Sequence, residues 1–229
     1  MYAFRESVYF DPAPADAGRV EVAFTDASLD VREGDGLAGT LTALREEAGV
    51  PFARLHQVHG DVVVTVDGAS DSVPTGDGQV TARRGLGLMV RVADCVPVVL
   101  ADPVDAVVGV AHAGRRGVQL DVVTRTVERM RELGARDVRA WIGPHVCGRC
   151  YEVPADLRDE VAAAVPATYA ETSWGTPALD LGAGVAAQLA AAGVPSSVVP
   201  GCTLEDTAFH SYRRDGESAG RFAGLVWLA

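Results

Sequence analysis

Lysine is absent from this sequence, and each of its 20 basic residues is an arginine. The absence of lysine excludes Schiff-base catalysis, the anchoring of pyridoxal phosphate and the lysine of a phosphate-binding P-loop. No G-x-G-x-x-G segment follows a strand-like run, so the motifs do not support a dinucleotide-binding fold. Lysine-dependent catalysis and P-loop phosphate binding are therefore excluded, and a dinucleotide-binding fold has no support.

Long apolar runs are also missing: none approaches the roughly 20 residues that a membrane helix needs. The opening stretch, MYAFRESVYFDPAPADAG, has no basic segment followed by an apolar one, which is the pattern of a secretory signal. We therefore expect a cytoplasmic protein with no membrane partner. In that compartment the four cysteines are expected to be thiols or metal ligands rather than disulfides.

Positive charge is scarce overall, and the net charge is -11. This balance argues against a nucleic-acid partner, which needs a basic face. A small anionic substrate would require a local cluster of arginines.

The length and the hydrophobic pattern predict one α/β domain over residues 1–229, with packed mixed β-sheets inside and helices outside. Valine-rich runs predict five strands, at residues 62–66, 86–92, 96–101, 106–111 and 138–142. Helical spacing predicts a helix over residues 118–133 followed by Gly134, and others over 37–48, 155–164 and 181–192. Asp180 is the expected N-cap of the last helix and Gly193 its stop.

Histidine is rare, with only five in the chain, and the predicted strand ends carry three of them. His56 and His59 precede the strand at residue 62, and His112 ends the strand that begins at residue 106. Cys95 lies between two strands. One imidazole from the first pair, the Cys95 thiolate and His112 would suit zinc with an open fourth position, as in a catalytic site. The alternative is a buried cysteine and core histidines, and spacing does not choose between His56 and His59.

The segment AHAGRRGV leads from this strand directly into a predicted helix. Free backbone N–H groups at such a start favour an anion, and Arg116 or Arg115 is a candidate phosphate clamp. A turn with two solvated arginines explains the segment equally well.

Two further groups carry weaker indications. Cys147 and Cys150 form C-x-x-C, but no thioredoxin-like setting and no second C-x-x-C accompanies them, so we expect a structural role. Acidic residues near turns are expected to cap helices or face solvent, and each is a weak acid–base candidate alone: Asp77, Asp94, Glu152 and Asp180.

Longer motifs follow one another in a familiar order: QVHG, ADCVPVVLAD, VGVAHAGRRG, IGPHVCGRCYEV and SYRRDGESAGRFAGLVWL. In these motifs, over about residues 54–228, the sequence resembles the YfiH-like laccase-domain family. The resemblance implies an α/β fold of packed mixed sheets and a zinc site formed by His59, Cys95 and His112. It departs from the family pattern at Arg115, where members usually carry tryptophan, and in a shortened early loop, FTDASLDVREGDG.

The resemblance also implies an activity. Members are associated with phosphorolysis of adenosine, inosine, guanosine and methylthioadenosine, and with adenosine deamination. We therefore expect a zinc enzyme that takes a purine nucleoside and phosphate, with His59, Cys95, His112 and Arg116 as its catalytic residues.

Three alternatives remain open at this point. Two histidines and a cysteine also suit copper, as in the polyphenol oxidases or laccases whose name the family carries, but five histidines are too few for a full laccase copper cluster. Editing of peptidoglycan precursors has been attached to bacterial members. A metal could also be a staple in a non-catalytic binding protein, for which a closed four-ligand shell would be evidence.

Overall fold

A computed structural model describes residues 1–9, 18–70 and 72–229 of the chain. Residues 10–17, part of the stretch searched for a secretory signal, lie outside the described residues. The strands are β1 (Tyr2–Tyr9), β2 (Arg19–Thr25), β3 (Phe52–Ala53), β4 (Val63–Thr65), β5 (Gly78–Thr81), β6 (Gly87–Val92), β7 (Val96–Asp102), β8 (Val107–Ala113), β9 (Arg139–Ile142), β10 (Tyr169–Glu171), β11 (Pro177–Leu179), β12 (Ser196–Val198) and β13 (Phe222–Leu228). The helices are α1 (Leu37–Ala48), α2 (Arg115–Gln119), α3 (Val122–Glu132), α4 (Ala155–Ala164), α5 (Leu181–Ala191) and α6 (Tyr212–Asp215).

Two mixed sheets form the centre of the fold. One has the strand order β1-β2-β13-β6-β3, the other β12-β9-β7-β8-β5-β4, and β10 pairs with β11 in a small separate sheet. The pairs β3–β6, β4–β5 and β9–β12 are parallel, and the remaining pairs are antiparallel. The predicted fold class of packed mixed sheets with flanking helices is therefore confirmed.

Alternation of side chains along the strands builds a layered core. In β7, Val99 and Ala101 point to the apolar layer between the two sheets, whereas Val98 and Leu100 point to the layer beneath α3 and α5. This alternation follows from the two-residue repeat of a strand. A third apolar layer, with Leu44 of α1, covers the outer face of the first sheet. The order from one side to the other is helix, sheet, sheet, helices.

The predicted helix over residues 118–133 is wrong in one respect, because the structure has two helices there. α2 ends at Gln119 and α3 begins at Val122. Between them Asp121 adopts a left-handed conformation, with φ 61°, and its carboxylate accepts a hydrogen bond from the Thr124 N–H. Aspartate tolerates this conformation and caps a new helix, which ends the first one. Gly134 follows α3 with a positive φ, as predicted for a helix stop.

The other predicted elements agree with the structure to within one or two residues. α1 and α4 have the predicted bounds, and Asp180 caps α5 by accepting from the Ala183 N–H. The five predicted strands are an incomplete set, because the sequence analysis missed several others, including β2, β5 and β13. β5 was missed because it carries glycine, glutamine and threonine, yet all four of its residues are buried. Long-range pairing with β8 stabilises it rather than local preference.

The crossing between the sheets positions the site. β6 belongs to the first sheet and β7 to the second, so residues 93–95 carry the chain from one sheet to the other. Cys95 lies at the end of this crossing. Because β8 pairs with β7, and its Ala113 lies opposite Val96, the end of β8 arrives beside Cys95.

Candidate metal centre

The structure brings His59, Cys95 and His112 together, and their candidate ligand atoms all lie within 4.8 Å of one another. The Cys95 Sγ is 3.7 Å from the His59 Nε2, and the two imidazole rings are 4.7 Å apart between centroids. His112 is buried and His59 is exposed, so the group is closed on one side and open on the other. We call these three residues the HCH cluster. Two imidazoles and a thiol form a donor set that suits zinc, and three protein ligands leave a position open.

Asp77 organises the cluster from behind. Its carboxylate is fully buried and accepts hydrogen bonds from the backbone N–H groups of Val58, His59 and Gly60. The same carboxylate lies 2.8 Å from His112 Nδ1. Asp77 therefore fixes the backbone at His59. Because it binds the Nδ1 of His112, the Nε2 of that ring is left to face the cluster. Such carboxylate–histidine pairs are usual behind metal ligands.

The sequence analysis missed this role of Asp77 and expected a cap or a surface residue. Nothing in the segment TGDGQV distinguishes a buried carboxylate from an ordinary turn residue. The three N–H donors come from residues about 18 positions earlier, so only the fold reveals them.

Close backbone approach makes room for the His59 ring. A Cβ atom at Gly114 would lie 2.5 Å from the His59 Cδ2 and 3.1 Å from the Cys95 Sγ. His59 itself has φ 59° and Asp94, beside Cys95, has φ 86°. Positive φ is uncommon outside glycine, although histidine and aspartate adopt it more often than other residues, and it is often found at functional sites.

The electrostatics of the cluster favour a thiolate. Burial alone would raise the pKa of Cys95, but the charges and hydrogen bonds of His112 and His59 lower it to about 6. Burial would lower the pKa of His112, but Cys95 and Asp77 raise it to about 9. Burial would also raise the pKa of Asp77, which the His112 and backbone hydrogen bonds hold below its usual value. A thiolate is the form of cysteine that binds metals.

A cavity of about 560 Å³ opens in front of the HCH cluster, a size typical of small-molecule sites. Four arginines line it in a chain of strong net negative charge. Arg91 pairs with Glu33 at 2.8 Å, and Arg32 lies 3.4 Å from Asp30. The other lining groups that bear on ligand binding are His56, Gln57, Tyr151, Tyr212, Arg213 and Arg221.

The four cavity arginines differ in whether they are paired with a carboxylate. Within the described part of the chain, neither Arg213 nor Arg221 forms an ion pair with a carboxylate. Arg213 lies 5.2 Å from the centroid of the Tyr151 ring, and Arg221 lies 5.8 Å from that of Tyr212. The cavity therefore combines cationic groups with flat aromatic faces, a feature the sequence analysis did not find. The motif SYRRDGESAGR contains three of these four side chains, but spacing alone gave them no role.

Arg116, the predicted phosphate clamp, lies elsewhere. It is exposed in the five-residue helix α2 and is not among the residues that line the cavity. Arg115 donates a hydrogen bond to Gln119 at 3.1 Å. Burial raises the pKa of Tyr151, and the charge of Arg115 partly opposes that rise. The role of Arg116 stays a prediction.

The remaining acidic candidates have structural partners. Asp180 caps a helix, and Glu152 accepts a hydrogen bond from the Trp174 indole at 2.7 Å. Asp94 accepts hydrogen bonds from the Thr203 hydroxyl and the Arg213 N–H, both at 2.6 Å. Asp94 therefore joins the Cys95 segment to the segment that carries a cavity arginine.

Comparison with known proteins identifies relatives along most of the chain. A family model described as multi-copper polyphenol oxidoreductase laccase matches residues 20–229. A purine nucleoside phosphorylase of Streptomyces coelicolor is 52% identical over 219 residues, which are 90% of this chain and 90% of that protein. One from Streptomyces griseus is 57% identical over 180 residues, covering 76% of this chain and 73% of the relative.

Solved structures agree with the fold. A Neisseria meningitidis protein superposes with a TM-score of 0.81 at 27% identity, covering 97% of this chain and 98% of its own. YlmD from Geobacillus stearothermophilus gives a TM-score of 0.80 at 27% identity, with 97% and 99% covered. Among the described residues no helix has the length and apolar character needed to cross a bilayer. The chain belongs to the multi-copper polyphenol oxidoreductase laccase family, of the YfiH-like fold.

Proposed function

We propose that this chain is a zinc-dependent purine nucleoside phosphorylase that acts on adenosine, inosine, guanosine and methylthioadenosine. The observation that carries the proposal is the convergence of His59, Cys95 and His112 at the wall of a cavity of nucleoside size. Relatives named as purine nucleoside phosphorylases support the choice of substrate. The proposal treats residues 1–229 as one domain, which stays a prediction.

The donor set fits the metal that the proposal requires. His59 and His112 offer nitrogen and Cys95 sulfur, while Asp77 fixes the orientation of the His112 ring. Gly114 leaves the space that the His59 ring occupies. Zinc at this cluster would supply a Lewis acid at an open coordination position.

The residues that line the cavity would bind the substrates and supply the proton. In phosphorolysis a phosphate oxygen bonds to C1′ of the ribose as the bond from C1′ to the purine nitrogen breaks, through an oxocarbenium-like transition state. The reaction needs a positioned phosphate and an acid for the leaving base. We propose that Arg213 and Arg221 hold the phosphate, that the rings of Tyr151 and Tyr212 bind the purine, and that His56 or Tyr151 gives the proton.

The test is an assay with each nucleoside, with and without phosphate, on protein of measured zinc content. We expect phosphate-dependent release of the free base and of ribose 1-phosphate, or of 5-methylthioribose 1-phosphate when the substrate is methylthioadenosine. His112→Ala should abolish both the activity and the zinc bound at this site. His210→Ala is the matched control, because His210 bonds to the Leu29 carbonyl and is not among the residues lining the cavity. A fully zinc-loaded protein that leaves all four nucleosides intact would contradict the proposal.

The same assay separates the arginines and the second expected activity. Arg213→Ala should raise the KM for phosphate more than Arg116→Ala does; the reverse order would restore the role predicted for Arg116 from the sequence. Formation of inosine from adenosine without phosphate would show the deamination implied by the family resemblance. Its absence would leave phosphorolysis as the single activity.

The rival functions have less support in the site. Among the described residues the HCH cluster is the one candidate metal group that contains histidine, so no imidazole ligands remain for the additional copper sites of a laccase. A non-catalytic staple would favour a closed shell, whereas His59 is exposed beside a cavity. No described feature singles out a peptidoglycan precursor as the ligand.

A further inference from the structure

A second group of metal-ligating side chains lies outside the cavity wall just described. Cys147, Cys150, Cys202 and Glu205 place their candidate ligand atoms within 4.8 Å of one another. None of these residues lines the cavity in front of the HCH cluster. We call this group the CCCE cluster.

The fold brings two similar turns to this place. The strands β9 and β12 are parallel, and their pairing continues beyond both strands. The Val199 N–H bonds to the Ile142 carbonyl, and an isolated bridge joins His145 to Cys202. The two chains therefore leave the sheet side by side in the same direction, and each then makes a turn.

Each turn carries two ligand groups three residues apart. CGRC spans residues 147–150 and CTLE spans residues 202–205. In the first turn the Cys150 N–H bonds to the Cys147 carbonyl, and in the second the Glu205 N–H bonds to the Cys202 carbonyl. The C-x-x-C spacing is that of the half-site of a zinc ribbon, whose other half is a second pair at the same spacing. Here the second half is C-x-x-E, with Glu205 in the position of the fourth cysteine.

The spacing of the four side chains suits a single ion, because all four candidate ligand atoms lie within 4.8 Å of one another. Cys150 is buried, Cys147 and Cys202 are half-buried and Glu205 is exposed. Thiolates select zinc over hard cations such as magnesium and calcium, and four protein ligands fill a tetrahedral shell.

We propose that the CCCE cluster binds a second zinc ion in a closed, structural site. Its ligands are the sulfurs of Cys147, Cys150 and Cys202 and a carboxylate oxygen of Glu205. The thiol protons are released to solvent when the ion binds. The site clamps the loop after β9 to the loop after β12. The inference does not depend on the reaction catalysed at the HCH cluster.

The principal test is the metal content of the wild-type chain and two single variants, purified with zinc and measured by mass spectrometry. The wild type should hold two zinc ions per chain. Cys150→Ser should hold one, which is the zinc of the HCH cluster, and Cys95→Ser should also retain one, at the CCCE cluster. Equal zinc in Cys150→Ser and the wild type would overturn the proposal.

Cobalt substitution in Cys95→Ser provides a measurement that does not need a variant of the proposed site. This variant removes the thiol of the HCH cluster and leaves Cys147, Cys150 and Cys202 intact. Thiolate-to-cobalt charge-transfer absorption should therefore persist in it, with an intensity appropriate to three sulfurs. A cobalt-treated protein without that absorption would refute a thiolate site.

Two further arms separate the alternatives. Glu205→Gln should weaken zinc binding at the CCCE cluster in competition with a chelator, because it removes the charged ligand oxygen, while Glu217→Gln, an exposed control, should not. Peptide mapping of protein alkylated without reductant should find free thiols after zinc removal. A disulfide between Cys147 and Cys150 or Cys202 would instead assign a redox role and overturn the zinc proposal.

Discussion

The HCH and CCCE clusters of this chain use similar ligands in opposite ways. The HCH cluster has two imidazoles and one sulfur, with His59 exposed at a cavity. The CCCE cluster has three sulfurs and one carboxylate, enough to fill a four-ligand shell. An open position allows a substrate to reach a metal, whereas a filled shell contributes to folding. If each cluster binds zinc as proposed, the number and softness of the ligands, rather than the presence of cysteine, distinguish the catalytic site from the structural one.

The structure also links the two clusters. Asp94, which precedes Cys95, accepts a hydrogen bond from the hydroxyl of Thr203, the residue after Cys202. The backbone N–H of Val146, which precedes Cys147, donates to the Asp94 carbonyl. Asp94 therefore contacts chain segments that belong to both clusters.

Metal removal should have the largest effect and should separate the roles of the two clusters most clearly. A chelator should abolish activity by emptying the HCH cluster, while loss of zinc from the CCCE cluster should lower thermal stability. A metal present at about 100 times its dissociation constant contributes about 2.7 kcal/mol to folding, or about 5–11 °C in melting temperature for a chain of this size. Calorimetry and activity measured on the same chelated samples would show the two losses. A melting temperature that follows activity alone would argue against two distinct roles.

Zinc affinity at the HCH cluster should depend on the space that Gly114 leaves for the His59 ring. Gly114→Ala places a methyl group 2.5 Å from the His59 ring and 3.1 Å from the Cys95 sulfur. We expect zinc affinity at the HCH cluster to fall, because the methyl group displaces the His59 ring from its ligating position, with the zinc at the CCCE cluster unchanged.

Gly39→Ala is the control for this substitution. Gly39 lies within α1, and an added Cβ would meet nothing within 4 Å. Alanine there should stabilise the helix by about 0.5–1 kcal/mol and leave zinc affinity unchanged. Competition with a chromophoric chelator and urea unfolding measure the two effects; normal zinc affinity in Gly114→Ala would mean that the His59 ring moves without cost.

A smaller loss of zinc affinity is expected from a substitution of the buried carboxylate of Asp77. Asp77→Asn keeps the shape of the side chain but removes the charge that faces His112. We expect zinc affinity and kcat/KM to fall by about 10-fold, at the lower end of the range for residues behind ligands. Isothermal titration and steady-state kinetics would measure these changes. Asp61→Asn, near the same loop but paired with Arg125 at 3.2 Å, should change neither quantity.

The smallest effect should come from the link between the clusters. Thr203→Val removes the hydroxyl that donates to Asp94 at 2.6 Å, and Thr203 is fully buried. We expect a loss of about 1–3 kcal/mol in unfolding free energy and a change in KM without loss of either zinc. Thr203→Ser restores the donor and should recover the KM. Equal kinetics in all three proteins would show that the clusters are independent.

Much of the fold was predictable from local pattern. α1 and α4 were predicted with their bounds, and the valine-rich strands around β7 and β8 were placed because apolar runs of that length form buried strands. β5 was not predictable, since Gln79 and Thr81 are polar yet buried. The buried Gln79 amide donates to the carbonyls of Ala53 and Met89, which are residues of other strands.

The proximity of the three residues of the HCH cluster was predictable to a similar degree, and their role as metal ligands stays a prediction. His59, Cys95 and His112 followed from their rarity and from their positions at strand ends, and the family resemblance resolved the choice against His56. The cavity arginines and the CCCE cluster were not predictable. Arg91 and Arg221 are 130 positions apart, and Cys150 and Cys202 are 52 apart.

The side chains available to this protein are set by its sequence: no lysine, few imidazoles, four thiols, and apolar runs that form buried strands. The fold sets which thiols lie beside imidazoles and which lie beside other thiols. Metal ligation requires distances of a few ångströms between atoms that are far apart in the chain. Those distances follow from sheet crossing and strand pairing, as between β6 and β7 and between β9 and β12, and local preference does not encode them.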